Sequence, residues 1–186
     1  MRKNTRNILL AACVPMAAMF FSTANADQPS WDAFTKGVGA SGCSFRVKLK
    51  SKPVTVEMVC DEQQVIQSLP VLQKMGMMNP DITQTMANMY PEKVVLGYMV
   101  QITPAAVSVF YKDHHVNMSK WATGIVVPDL YGHPSARVIS SFRFDRKTFN
   151  RIEWDAFPPQ NFPSVAPGFQ YSEYVQKCVL LDECPK

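Results

Sequence analysis

The chain has 186 residues, of which 47% are hydrophobic and 18% charged, and its formal net charge is +4 at pH 7. Three of its 19 basic residues and none of its 15 acidic residues lie in the first 26 positions, so the rest of the chain carries about +1. Nucleic-acid binding needs a concentrated excess of lysine and arginine. Because the rest of the chain is nearly neutral, we do not expect it to bind nucleic acid. A remainder of about 160 residues is typical of one domain with a single core.

The first 26 residues have the pattern of an export signal. A basic start is followed by an apolar run from Ile8 to Phe21 and by the small-residue sequence Ala24-Asn25-Ala26. The sequence before Cys13 also resembles a lipoprotein acylation motif, but its apolar stretch is short and the run continues past the cysteine. We therefore favour cleavage after Ala26, which leaves residues 27–186 as a single α+β domain in the periplasm or secreted from the cell.

Four cysteines remain after this cleavage, and an even number in an exported chain predicts two disulfide bonds. Residues 43–60 alternate apolar and polar side chains on both sides of Ser51-Lys52, as expected of a β-hairpin. A turn at these two residues places four pairs on one face: Leu49–Val54, Val47–Val56, Phe45–Met58 and Cys43–Cys60. We therefore predict a bond between Cys43 and Cys60 and, by elimination, one between Cys178 and Cys184.

The segment after the hairpin predicts two short helices between residues 61 and 90. Asp61 is a suitable N-cap for the first helix, which Pro70 should kink or divide. Asn79-Pro80 predicts the start of the second helix and Pro91 its end. The apolar stripe of this second helix consists of Ile82, Met86 and Met89, and we expect it to pack in the core.

Four β-rich runs follow, and they predict a mainly antiparallel sheet. Their sequences are VVLGYMVQIT, AAVSVFYK, KWATGIVV and ARVISSFRF. Residues 157–169 then hold four prolines and predict an extended arm rich in proline and aromatic residues, and residues 169–181 predict a short C-terminal helix. The expected fold class is thus α+β. No run in the mature chain approaches the roughly 18 apolar residues of a membrane span, so we expect no transmembrane segment.

Five of the eleven methionines lie between residues 74 and 90. Two pairs of them are three residues apart, Met75 with Met78 and Met86 with Met89. Thioethers select Cu(I), so a periplasmic Cu(I)-binding protein that uses this cluster is an alternative function. Methionine also fills irregular cores and adaptable binding surfaces. Because core packing accounts for the last two methionines, Met77 and Met78 are the candidate contacts for a ligand or a partner.

Two further surfaces are candidates for binding. Basic residues form a stripe on the outer face of the hairpin, where they could keep an edge strand soluble or contact a membrane surface or an acidic partner. These residues are Arg46, Lys48, Lys50 and Lys52. Aromatic residues concentrate between positions 142 and 174, which hold nine of the 18 in the mature chain. The candidate contacts there are Trp154, Phe157 and Phe162, with packing on the protein's own core as the alternative.

Catalytic and metal-binding patterns are sparse. The mature chain has no GxSxG motif, no glycine-rich phosphate loop and no cysteine outside the predicted disulfides. Glu153 and Asp155 would share one face of an extended segment, so a carbohydrate-active hydrolase is a distant alternative. The histidines His114, His115 and His133 lack the spacing of a metal site.

We therefore expect no enzyme activity, no cofactor and no metal. The favoured function is an exported, non-enzymatic protein-binding module, an accessory or inhibitor of an envelope assembly. Its partner would be another envelope or secreted protein, with peripheral membrane contact as a further interaction of the basic stripe. This hypothesis rests on the lack of catalytic patterns and on the three candidate surfaces, namely the methionines, the basic stripe and the aromatic arm.

Overall fold

A computed structural model describes residues 29–129 and 131–180, without the side chains of residues 178–180. The predicted export signal, the cleavage site after Ala26 and the motif at Cys13 lie outside these residues. The predicted Cys178–Cys184 bond lies outside them too, because residue 184 and the side chain of residue 178 are not described.

The described chain contains short helices, one long helix and five strands. Helix α1 (Trp31–Gly39) precedes strands β1 (Cys43–Lys48) and β2 (Val54–Asp61). Three short helices follow, α2 (Glu62–Gln67), α3 (Leu69–Lys74) and α4 (Gln84–Met89). The long helix α5 (Pro91–Asp113) leads to β3 (Met118–Pro128) and β4 (Pro134–Asp145). The chain then forms α6 (Arg146–Phe149), two 3₁₀ turns (Trp154–Ala156 and Pro159–Asn161), α7 (Phe162–Val165), β5 (Gln170–Tyr171) and a π-helical segment (Val175–Leu180).

The five strands form one mixed sheet in the order β1-β2-β3-β4-β5. Strands β2 and β3 are parallel, and the other three neighbouring pairs are antiparallel. The parallel pair follows from the connection, because the chain crosses over through α2 to α5 before it returns as β3. The predicted α+β class and the mainly antiparallel sheet are therefore confirmed.

The N-terminal hairpin has the predicted register and disulfide. Cys43 lies opposite Cys60 in the ladder and is bonded to it. The turn is longer than predicted, because the last ladder pair is Lys48 with Thr55 and Leu49 is exposed rather than paired. The hydroxyl and the backbone N–H of Ser51 both donate to the Lys48 carbonyl, at 2.7 and 3.2 Å, and close the turn before the predicted position.

The first two β-rich runs after residue 91 are not strands but the single helix α5. Twelve of its 23 residues are buried, and they lie on all sides of the helix. The apolar residues of α5 therefore do not recur with the period of 3.6 residues that identifies a helix with one buried face. A continuous apolar run of this kind fits a buried strand equally well. Pro104, which separates the two runs in the sequence, lies inside the helix. The other two runs form β3 and β4, as predicted.

By length and composition α5 could cross a membrane, a property that is hidden when the segment is divided into two strands. In the structure 72% of the most apolar window of α5 is buried inside the fold. The core helix of a folded domain has the same composition as a membrane span.

The predicted first helix is correct in outline. Asp61 is its N-cap, since the Asp61 carboxylate accepts a hydrogen bond from the Gln64 N–H at 2.9 Å. The helix is divided at Ser68, two residues before Pro70, into α2 and α3. Helix α2 buries Val65 and Ile66, and α3 buries Leu69 and Leu72 but leaves Val71 exposed.

The predicted start of the second helix at Asn79-Pro80 is wrong. The Asn79 side chain accepts a hydrogen bond from the Asp81 N–H at 2.8 Å and forms a local turn instead of a cap. Helix α4 begins four residues later, where Thr83 is the N-cap and accepts from the Met86 N–H. Pro91 follows this helix as predicted, but as the first residue of α5.

The proline and aromatic arm is not extended, since it contains a 3₁₀ turn and helix α7. Its aromatic rings pack on the inner face of the sheet, where the Phe162 ring centroid lies 5.1 Å from Phe142 and 5.7 Å from Phe144. The predicted C-terminal helix is present as a π-helical segment over Val175–Leu180. The arm and this segment thus close the domain over its own core.

Candidate functional site

Two short helices carry exposed apolar side chains. On α3 and its C-cap, Val71 is 59% exposed and Met75 46%. On α4 and its C-cap, Met86 is 38% exposed, Met89 63% and Tyr90 47%. Residues three and four apart on a helix are neighbours, so each set forms a continuous apolar strip. We call these five residues the methionine surface.

The exposure of Met86 and Met89 corrects the prediction that they pack in the core. Helix α4 contacts the core through Ala87, which is fully buried and small enough to let the helix lie close to its neighbours. The expected stripe began at Ile82, but this residue precedes the helix. The buried face is therefore set by Ala87 and not by the two methionines beside it.

Met77 and Met78, which were expected at the surface, lie in the core or against it. Met78 is only 6% exposed and belongs to the core, and Met77 is half-buried against that core. These two residues were the candidate ligand or partner contacts, and their positions leave little side chain at the surface. We therefore do not include them in the methionine surface.

A glutamine side chain fixes the loop that joins the two apolar helices. The Gln73 amide donates to the carbonyl of Asn79 at 2.9 Å and to that of Ile82 at 2.8 Å. Because Gln73 belongs to α3 and Ile82 immediately precedes the Thr83 cap of α4, these bonds tie the helices to each other. The methionine surface is thus presented by short but anchored helices.

Arg46 and Lys48 of the basic stripe lie on the edge strand β1, and Lys50 and Lys52 lie in the turn after it. Arg46 lies opposite Glu57 in the ladder, but the ion pair forms between Lys48 and Glu57, whose Nζ and Oε1 atoms are 3.0 Å apart. Arg46, Lys48 and Lys50 are all exposed. A contact between this stripe and a membrane or an acidic partner stays a prediction.

The candidate aromatic residues of the arm are part of the core or lie against it. Trp154 is buried and its indole N–H donates to the Phe149 carbonyl at 3.1 Å. Phe162 is buried, and Phe157 is half-buried with its ring 5.8 Å from that of Trp154. The arm therefore anchors itself on the protein, and these residues do not form an exposed binding surface.

The distant hydrolase hypothesis loses its geometric basis. Trp154–Ala156 form a 3₁₀ turn and not an extended segment, and positions two apart in such a turn do not share a face. Glu153 and Asp155 are both exposed. In the described ranges, no group of three or more His, Cys, Asp or Glu residues is arranged to hold a metal ion.

A narrow slot lies between α5, the sheet and the arm. Its lining is mostly apolar, with the hydroxyls of Thr123 and Ser140 hydrogen-bonded to each other at 2.8 Å. The slot has a volume of about 20 Å³, which is room for one water molecule. Small-molecule sites are usually many times larger, so this slot does not serve as one.

Sequence reasoning missed a buried charged group near the start of α5. Glu62 is buried, and among the described residues its Oε2 atom has no hydrogen-bond partner. Burial raises the pKa of Glu62, and the nearby carboxylates of Glu92 and Asp61 raise it further. The Arg137 guanidinium acts in the opposite direction and lies 4.7 Å from the Tyr174 ring centroid. Glu92, Arg137 and Tyr174 are far from Glu62 in the sequence, so no local pattern brings them together.

The raised pKa of Glu62 predicts a pH-dependent contribution to stability. The folded state binds this proton more tightly than the unfolded chain, in which the pKa is near its ordinary value of 4.5. The contribution of protonated Glu62 to the stability of the fold is complete below pH 4.5 and is lost as the pH rises through the folded-state pKa. We therefore expect the Glu62→Gln variant to gain stability relative to wild type as the pH rises above 4.5, measured by urea unfolding at a series of pH values. A pH-independent difference between the two proteins would contradict the raised pKa.

Nine large apolar side chains are exposed in the described residues, and five of them belong to the methionine surface. The other four, Leu49, Met118, Tyr131 and Val138, lie on strands and turns. A function for the methionine surface has to be inferred from the chain itself. Comparison with models of protein families, with curated proteins and with solved structures finds no match to this chain.

Proposed function

We propose that the protein is an exported, non-enzymatic binding module that docks another exported protein through the methionine surface. The observation that carries this proposal is the exposure of five large apolar side chains on two anchored helices. Within each helix these side chains are neighbours, and contiguous exposed apolar side chains mark protein interaction sites more often than scattered ones do. Methionine is flexible and polarisable and suits surfaces that adapt to a partner.

The disulfide supports an exported location. Cys43 and Cys60 are bonded, and stable disulfides form in oxidising compartments. We place the mature protein in the periplasm, or outside the cell, after cleavage behind Ala26. There it would act as an accessory or inhibitor of an envelope assembly.

The shape of the methionine surface favours a protein over a small molecule. Small-molecule ligands bind in concave pockets, whereas these side chains stand on the outside of helices. Copper binding is the second candidate, since Met86 and Met89 are exposed one turn apart. The other predicted copper pair is separated, because Met75 is exposed and Met78 is buried.

Two double variants distinguish apolar docking from a role of sulfur. Met86→Gln with Met89→Gln keeps the side-chain length but removes the apolar character, whereas Met86→Leu with Met89→Leu keeps the apolar character but removes sulfur. We expect the glutamine variant to lose about tenfold in partner capture and the leucine variant to retain capture. The measurement is photo-crosslinking in cells that export the chain, with the crosslinking residue at Thr85 beside both methionines, followed by mass spectrometry.

Met118 supplies the matched control. It is 48% exposed but lies at the start of β3, away from the two helices. Met118→Gln should leave capture unchanged. Equal loss in the leucine and glutamine variants would instead assign the surface to sulfur and favour Cu(I) binding. Failure of the wild type to capture a reproducible partner, or capture of only a second copy of this chain, would contradict the proposal.

A further inference from the structure

We infer that Met75, Met86 and Met89 form a site of reversible oxidation to methionine sulfoxide, which releases the partner from the methionine surface. This inference rests on the proposed function, because it adds a regulatory step to the same surface. The structural basis is the division of the methionines into exposed and buried sets. An oxidant that reaches the exposed set alters the surface without reaching the core.

The eight methionines of the described residues differ sharply in exposure. Four of them are 38 to 63% exposed, namely Met75, Met86, Met89 and Met118. Three are at most 6% exposed, namely Met58, Met78 and Met99, and Met77 is half-buried. Oxidation follows accessibility, so we expect a peroxide to react with the first set well before the second.

The reaction balances with hydrogen peroxide as the oxidant. The thioether sulfur attacks one peroxide oxygen, a sulfur–oxygen bond forms, and the oxygen–oxygen bond breaks. The sulfur loses two electrons and becomes a sulfoxide, and the departing hydroxide takes the proton of the transferred oxygen and leaves as water. An exported protein with a stable disulfide meets such oxidants without the reducing systems of the cytoplasm.

The product changes the character of the surface. A sulfoxide is polar, so oxidation turns three of the five apolar side chains into polar ones. The fold is retained, because the methionines that pack in the core are shielded and α4 is held through the buried Ala87. Oxidation therefore acts on binding and not on folding.

The exposure of the site also makes the sulfoxides accessible to enzymatic reduction, in which a dithiol supplies two electrons and two protons and the sulfoxide oxygen leaves as water. Methionine sulfoxide reductases must take the side chain into their active sites, and each of the two types reduces one sulfoxide epimer. Met86 and Met89 lie on a six-residue helix, and Met75 is the C-cap residue of another. Side chains in these positions can enter a second protein without unfolding the domain.

The first experiment maps the reaction on the mature chain with its disulfides intact. The protein is treated with hydrogen peroxide, and the oxidised fraction of each methionine is followed by peptide mass spectrometry. We expect the four exposed methionines to react at least about tenfold faster than Met58, Met78 and Met99. The melting temperature should not change while only the exposed set is oxidised. Uniform reaction of exposed and buried methionines, or unfolding on their first oxidation, would overturn the inference.

The second experiment links oxidation to docking. Crosslinked partner should fall about tenfold when wild type is oxidised and return after treatment with both reductases and thioredoxin. A triple variant, Met75→Leu with Met86→Leu and Met89→Leu, should keep its partner after peroxide treatment. Met118→Leu is the control, because it removes an exposed methionine outside the surface and should remain sensitive.

The two proposals fail in different ways. If the reduced wild type and the triple leucine variant capture the same partner but oxidation does not reduce capture, docking stands and the redox step is overturned. If the reduced wild type captures no partner, the proposed function fails, and oxidative release fails with it. The peroxide map by itself supports or overturns selective oxidation of the site, because it requires no partner.

Discussion

Replacement of both Cys43 and Cys60 by alanine should lower the free energy of unfolding by about 3 kcal/mol. The bond joins residues 17 apart, and a crosslink over such a loop restricts the unfolded chain to this extent. Both cysteines are buried, and alanine avoids a buried hydroxyl without a partner. The loss should be measured by urea unfolding, as a lower urea concentration at the midpoint of the transition. The slope of the free energy of unfolding against urea concentration should also change if the unfolded variant is less compact than the crosslinked chain.

A thiol reductant provides the control for this variant. Under reducing conditions, wild type and the alanine variant should have about the same free energy of unfolding. Any further loss that the reductant causes in the variant measures a second disulfide, which the sequence predicts between Cys178 and Cys184. A difference below about 1 kcal/mol between oxidised wild type and the variant would show that strand pairing and the packing of α1 hold the hairpin without the bond.

The hairpin was predictable because its signals are local. Alternation with a period of two residues on both sides of a short polar segment sets the register, and the register brings Cys43 to Cys60. Only the turn was misplaced. Its geometry depends on hydrogen bonds from Ser51 to Lys48, which the alternating pattern does not encode.

Helix α5 was missed because its environment removes the signal that identifies helices. The core surrounds it, with α1 and α2 in contact and the sheet beneath, so apolar residues occupy nearly every position. A valine-rich run in such an environment fits a strand as well as a helix. The three-dimensional contacts decide between them, and they are not visible in one sequence.

The methionine surface was also mispredicted, because residues expected in the core lie on the surface. Met86 and Met89 continue a helical spacing from Ile82, which made them resemble core residues. The true cap, Thr83, and the buried Ala87 turn the helix so that both methionines face outward. The position of one cap thus decides whether these side chains are core or surface.

Replacement of Arg146 by alanine should lower the free energy of unfolding by about 3 kcal/mol. The Arg146 guanidinium donates to three carbonyls at the end of α5, those of Tyr111 at 2.6 Å, His114 at 2.7 Å and Val116 at 3.3 Å. It also lies 4.9 Å from the Tyr111 ring centroid and 5.2 Å from that of Phe149. Hydrogen bonds from charged groups and cation–π contacts each contribute about 1 kcal/mol or more in partly buried positions.

Arg143 is the matched control, because its replacement by alanine removes the same charge from the exposed face of β4. That variant should change the free energy of unfolding by less than about 0.5 kcal/mol. Arg146→Lys should fall between wild type and Arg146→Ala, since lysine keeps the positive charge at the helix C-terminus but cannot reach three carbonyls with one planar group. If the lysine variant equals wild type in urea unfolding, the charge at the end of α5 stabilises the fold and the fork of hydrogen bonds does not. Equal losses in the Arg143 and Arg146 alanine variants would reject both explanations and leave only the general effect of net charge.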